Sequence, residues 1–208
     1  MAKEKQKKKS GFLAEAWDFI KVFGITLVVV LLFVNLIAHP VNVVGRSMVP
    51  TLQDGEYGFT SLISARMSAP ARGDVVVITM EADENGDGQT EESHWVKRVI
   101  GLPGDTVESR NDVIYVNGEP LDESSYIQED YKNAMIEQFG YFNKTADAQG
   151  NLSDFGPVTL GEDEYWVMGD NRPYSKDSRS LDVGPVTRDK IYGKGILVLF
   201  PFGKMGVH

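Results

Sequence analysis

The most strongly patterned stretch of the chain is an unbroken apolar block. From Val22 to Ala38 it reads VFGITLVVVLLFVNLIA, 17 residues without a charge. As a helix this rises about 26 Å, close to the hydrocarbon thickness of a bilayer once flanking residues are included. The density of Val and Leu favours a membrane span over a buried core helix. Lys21 can snorkel at one end, and Trp17 and Phe19 suit the interface. A secretory signal's apolar region is usually about 7–15 residues and ends in a small-x-small site. Here the block ends LIAHPV, so an uncleaved anchor is expected.

After Pro40 the period changes. VNVVG alternates weakly, and GDVVVITM (Gly73 to Met80) and HWVKRVIG (His94 to Gly101) are β-branched runs. DVIYVNGEPL holds Asn117-Gly118, a strong hairpin signal, and EYWVMGD and GKGILVLFPF complete the set. Two short helices are predicted, at SLISARM (Ser61 to Met67) and YKNAMIEQF (Tyr131 to Phe139). This pattern predicts a mainly β domain, with mixed or antiparallel sheets around one core, preceded by one transmembrane helix. Residues 122–160 are polar and poor in β-branched residues, and read as an inserted excursion between hairpins. No internal repeat is visible.

Charge divides the chain in the same place. Residues 1–39 hold six Lys and three acidic residues, whereas residues 40–208 hold 15 Lys and Arg against 27 Asp and Glu, within a total net charge of -9. Lys3, Lys5, Lys7, Lys8 and Lys9 precede the apolar block. The positive-inside tendency then keeps residues 1–21 cytoplasmic, with 22–38 in the membrane and 39–208 outside. An acidic domain argues against a nucleic-acid partner. The chain has no cysteine, which removes disulfides, thiolate metal sites and cysteine nucleophiles.

Several clusters invite chemistry. DENGDGQTEESH (Asp83 to His94) matches the first half of a calcium loop at Asp83, Asn85, Asp87 and Gly88. The twelfth position is His94 instead of Glu, and the flanks read as strands, so an acidic hairpin loop is expected. A Ser-His-Asp triad would have to use His94, because His39 and His208 lie at the membrane edge and the terminus, and nothing nearby orients it. No two histidines are spaced as paired ligands, so no metal is expected, nor any other cofactor. Along a strand Trp95, Lys97 and Val99 share a face. The pattern alone favours a lysine reaching solvent past its neighbours. The alternative is a desolvated lysine with a lowered pKa, able to take a proton from a serine hydroxyl. GDNRPYSKDSR (Gly169 to Arg179) reads as a solvated polar loop, with a buried hydrogen-bond network as the alternative. In GRSMVPTL (Gly45 to Leu52), Ser47 is a turn residue, a cap or a nucleophile.

Four segments in order, GRSMVPTL, RGDVVV (Arg72 to Val77), HWVKRVIGLPGD (His94 to Asp105) and GDNRPYSKDSR, resemble the type I signal peptidases of bacteria. The resemblance runs from the apolar block to LFPFGKMG near the C-terminus, and the single anchor is similar to the short Gram-positive form. It implies a serine–lysine protease in which Ser47 attacks the scissile carbonyl and Lys97 is the general base. It further implies that Ser175 hydrogen-bonds and orients the lysine, and that Asp177 and Arg179 hold that region together. Some members carry a serine where this chain has Gly45, two residues before the nucleophile, and its hydroxyl helps bind the oxyanion. Loss of one such donor costs about 2.7–4 kcal/mol in an enzyme built around it. The implied substrate is the signal peptide of a preprotein, bound as an added strand beside the site. Small residues would enter apolar pockets at Val43, Val44, Met48, Leu52, Trp95 and Val96. A lipid bilayer is the other implied partner.

Overall fold

The structure, a computed structural model, describes residues 2–82, 88–146 and 149–208. One long helix, α1 (Ala2–Leu36), precedes everything else. Within it Ala14–Val34 is long and apolar enough to cross a membrane, and none of that stretch is covered by the rest of the chain. The helix begins well before the uncharged block, and Lys21 pairs with Asp18 at 3.0 Å on its surface. It stops short of Ala38, which already belongs to a strand. Pro40 explains this, since a residue before proline is pushed from helical to extended backbone and proline itself cannot continue a helix.

The strands follow as β1 (Ala38–Asn42) and β2 (Tyr57–Ser61), then, after the short helix α2 (Leu62–Met67), β3 (Val75–Ala82) and β4 (Glu91–Gly101). Next come β5 (Thr106–Arg110), β6 (Val113–Val116) and β7 (Glu119–Pro120), and then helix α3 (Glu129–Phe139). The chain closes with β8 (Thr145–Ala146), β9 (Leu152–Ser153), β10 (Val158–Thr159), β11 (Glu164–Met168), β12 (Val186–Thr187), β13 (Ile191–Phe200) and β14 (Gly206–Val207). The main sheet runs β1-β2-β13-β3-β4-β11-β12, with β14 on β13, and a smaller sheet runs β10-β5-β6-β7. All of these pairings are antiparallel.

The β-branched run of β3 is continuous because both faces of the main sheet are covered. Val75 and Val77 enter one core cluster with Val41, Val43, Met48 and Leu52, while Val76 and Ile78 enter the opposite one with Val99 and Val167. The predicted hairpin turn forms, with Asn117 at φ 54° and Gly118 at φ 84°. Both predicted helices are present, and Ser61 caps α2 by accepting from the Ser64 amide. β2 and β5 carry little sequence signal, since YGFTS and TVESR mix polar residues with few branched ones. Residues 122–160 contain α3 and β8 to β10, and β10 returns to pair with β5. Ala82 pairs with Glu91, which agrees with a hairpin there, while the calcium-like residues Asp83 to Asp87 lie outside the described residues.

Candidate active site

Lys97 sits near the middle of the main sheet, opposite Val76 of β3. It is only 4% exposed, which corrects the solvent-reaching reading: the strands on both sides and the loop after β1 close over it. Its Nζ donates to Ser47 Oγ at 3.0 Å and to the carbonyl of Val96 at 3.0 Å. It also stands 5.6 Å from the centre of the Trp95 ring. Burial lowers its pKa from 10.5 to about 8, with Asp177 opposing, Arg179 reinforcing and Asp170 opposing. Burial wins because removing the ammonium from water outweighs carboxylates that are already neutralised by arginines.

Ser47 is held by residues on both sides of it. Met48 and Leu52 are buried in the core, and the Leu52 amide bonds the Met48 carbonyl at 2.9 Å. Upstream, Gly45 turns the chain at φ 89° and donates its amide to Asp54 Oδ1 at 2.9 Å. A glycine is suited to this position because a positive φ strains residues with a Cβ. Gly45 therefore supplies neither a hydroxyl nor a free amide. Among the described residues the Ser47 amide has no protein acceptor, so it is free to meet a substrate oxygen.

The segment from Gly169 to Arg179 is a buried network, not a solvated loop. Asp170, Asn171, Arg172, Asp177, Ser178 and Arg179 are all buried, and each charge finds a partner. Asp177 receives Arg179 at 2.8 Å and the Gly169 amide at 2.9 Å. Burial pushes the Asp177 carboxyl up, but the Arg179 charge and these hydrogen bonds prevail and hold it below the usual range. Arg179 also bonds the Arg172 carbonyl at 2.6 Å, and Arg172 pairs with Glu123. Asp170 takes Arg98 through both oxygens, at 2.8 and 2.6 Å, and accepts from Thr51 at 2.6 Å.

This network grips the serine turn. The Asn171 amide donates to the Ser47 carbonyl at 3.0 Å, and its side chain donates to the Arg46 carbonyl at 2.9 Å. Gly169 lies so close that a Cβ there would collide with the Ser47 carbonyl and the Ser175 hydroxyl. Ser175 is thus beside the serine turn; its buried Oγ makes no hydrogen bond of regular geometry but lies close enough to Asp177 to help hold that carboxyl down. The Ser175-to-lysine bond that the resemblance implies is absent here, since Lys97 donates to Ser47 and Val96 instead. Arg98, Asp170, Asn171, Thr51 and Gly169 were not singled out from sequence. Their one signal was membership of the quoted motifs.

A cavity of about 360 Å3 opens beside Ser47 and Lys97. Val43, Val44, Met48, Trp95 and Val96 line it. Leu52 does not, being fully buried beneath the loop. His94 lines the same cavity but turns its ring edge-on to Tyr192 at 4.4 Å, and the side chain in hydrogen-bond contact with Ser47 Oγ is Lys97. The cleft is lined by apolar and polar side chains in similar measure, and within it a hydroxyl and a desolvated amine lie in contact, a pairing in which a neutral amine can activate a hydroxyl.

The whole pattern has known relatives. The family model described as signal peptidase, peptidase S26, matches residues 16–200. Signal peptidase I S of Bacillus subtilis (strain 168) is 38% identical over 205 residues, covering 99% of this chain and 98% of that protein. Signal peptidase I of Bacillus amyloliquefaciens is 40% identical over 203 residues, covering 98% and 96%. A crystal structure of a signal peptidase I from Enterococcus faecalis V583 is 28% identical, with a TM-score of 0.40 over 61% of this chain and 96% of that one. The chain belongs to the signal peptidase S26 family of peptidases.

Proposed function

We propose that this protein is a membrane-anchored serine endopeptidase that removes signal peptides from exported preproteins after small-x-small sites. The observation that carries this is the 3.0 Å contact between the buried Lys97 amine and Ser47 Oγ at the cleft floor. Neutral Lys97 takes the Ser47 proton as Oγ attacks the scissile carbonyl, and the Ser47 amide donates to the developing oxyanion. The ammonium then returns the proton to the leaving amine of the mature chain. The acyl-enzyme is cleared by water, which Lys97 activates in the same way. Asp177 and Arg179 brace the turn, and Ser175 stands ready to take up the lysine when the Ser47 contact is broken.

The preprotein binds extended beside Val43 and Val44, with main-chain hydrogen bonds giving affinity. The apolar cleft between Val43 and Val96 suits small side chains at the first and third positions before the cut. The N-terminus is cytoplasmic and the β domain extracytoplasmic. Tethering Ser47 a few residues from the anchor raises its local concentration at cleavage sites that leave the bilayer beside it.

The test is processing of a preprotein with an Ala-x-Ala site by Ser47→Ala and Lys97→Ala variants. Both are expected to lose processing, and normal processing by either overturns the assignment. Protease protection in intact spheroplasts checks orientation, since a β domain shielded from added protease contradicts it.

A further inference from the structure

A second cavity, also about 360 Å3, opens beyond Tyr174 and Lys176. Those two residues line both cavities, so the two adjoin there, and a chain crossing from one to the other passes over Tyr174 and Lys176 as along a trough. Charge sets the second part apart. Among the described residues it is lined by the cations Lys144, Arg172, Lys176 and Arg179 and by no carboxylate. This occurs in a region where acidic residues outnumber basic ones by 27 to 15. Arg172 and Arg179 are neutralised by Glu123 and Asp177. Lys176 pairs with Asp182 at 3.3 Å, with both side chains largely exposed, and such pairs are weak. Lys144 is held through its backbone by Asp112, and its ammonium has no ion pair among the described residues. A concave surface lined by cations focuses positive potential.

The fold gives the trough a direction. Three residues past the end of α1, His39 packs edge-on against Tyr192 at 5.4 Å, and the same ring meets His94. His94 and Ser93 line the first cavity. The trough therefore runs from the anchor end past Trp95 and Val96 to Ser47 and Lys97, then over Tyr174 and Lys176 into the cationic part. A chain emerging from a bilayer enters at the His94 end, and whatever follows the scissile bond leaves over Lys176. The rim there is braced, with Arg46 stacked 4.7 Å from the Tyr174 ring and Phe139 of α3 edge-on to it at 5.1 Å.

We propose that the second cavity receives the first residues of the mature segment and favours acidic side chains at them, through Lys144 and Lys176. This rests on the reading of Ser47 and Lys97 as the peptide-cleaving pair. An extended chain advances about 3.3 Å per residue, so positions two to four after the cut span about 7 Å.

The test uses the full chain in detergent and three preproteins that share one Ala-x-Ala site. They carry two acidic, two neutral or two basic residues at positions two to four of the mature segment. The acidic substrate is expected to exceed the basic one in kcat/KM by about tenfold at low salt. This ratio should collapse toward one in about 1 M salt, where screening acts within about 3 Å. A Lys144→Glu, Lys176→Glu double variant is expected to invert it. Because the readout is a ratio within each enzyme form, a general loss of activity does not mimic the effect. A wild-type ratio near one, or a ratio unmoved by charge reversal, overturns the proposal while neutral-substrate cleavage leaves the peptidase reading intact. Failure to cleave the neutral substrate overturns both.

Discussion

The Asn171 amide donates to the carbonyl of Ser47 at 3.0 Å. Residues far apart in sequence thereby fix the backbone from which the Ser47 hydroxyl projects. The Asn171 side chain repeats the grip one residue earlier, on the carbonyl of Arg46. The serine turn is consequently positioned from below by the core, through Met48 and Leu52, and from the side by the buried polar segment.

That grip depends on Gly169. A methyl at this position would overlap both the Ser47 carbonyl and the Ser175 hydroxyl, and the carbonyl cannot retreat without moving Oγ. Gly169→Ala is expected to lower kcat by about a hundredfold, the effect of a displacement near 1 Å at the reacting group. Single-turnover cleavage of a preprotein measures this, and retained kcat would show that the turn tolerates the shift.

Activity should rise with pH through the titration of Lys97. Its pKa is lowered to about 8, and in the proposed role of general base it must be neutral. At pH 7 roughly a tenth of the lysines are in that form. The kcat/KM profile is expected to climb about tenfold per pH unit below 8 and to level above it. A limb near 10 instead would place the lysine in water.

The same shift carries a stability cost. The unfolded lysine titrates at 10.5 and the folded one at about 8, so between these values the unfolded chain binds more protons and stability rises with pH. Below pH 8 the full cost of about 3 kcal/mol is present. Lys97→Met leaves Asp177 with Arg179 and Asp170 with Arg98. It is therefore expected to stabilise the chain at pH 7 by up to about 3 kcal/mol and to abolish this slope. Urea unfolding at pH 7 and pH 10 reads both.

Arg98 and Asp170 act in the opposite sense. Their side chains are 8% and 0% exposed and meet through two hydrogen bonds. Asp170→Ala strands a buried guanidinium and is expected to cost about 3–5 kcal/mol, measured as a lowered urea midpoint.

Gly45→Ser tests whether a hydroxyl can be added two residues before Ser47. The site has space, since nothing lies within 4 Å of a Cβ there, but its φ is 89°. The substitution is expected to destabilise by about 1–2 kcal/mol. Activity is expected to fall as the turn relaxes toward negative φ, and a gain in kcat would show that the oxyanion lacks a second donor.

The order of residues alone determined a great deal. The uncharged block before Pro40 marked the apolar part of the long helix, which starts about twenty residues earlier and ends two residues sooner, and the apolar runs determined β3, β4, β11 and β13. Asn117-Gly118 determined a hairpin turn, because positive φ at both positions is acceptable to those residues. The four motifs in series determined the family. These are local properties of backbone sterics and side-chain pattern, readable wherever the chain happens to lie. Tertiary structure alone decided the environment of Lys97, because burial depends on which segments close over it, and its own strand mixes polar and apolar residues on both faces. It likewise decided that Gly169 to Arg179 is a network. A polar segment is cheap to leave in water and costly to bury unless every charge is met, and the partners Arg98, Glu123 and Ser47 arrive from other parts of the chain.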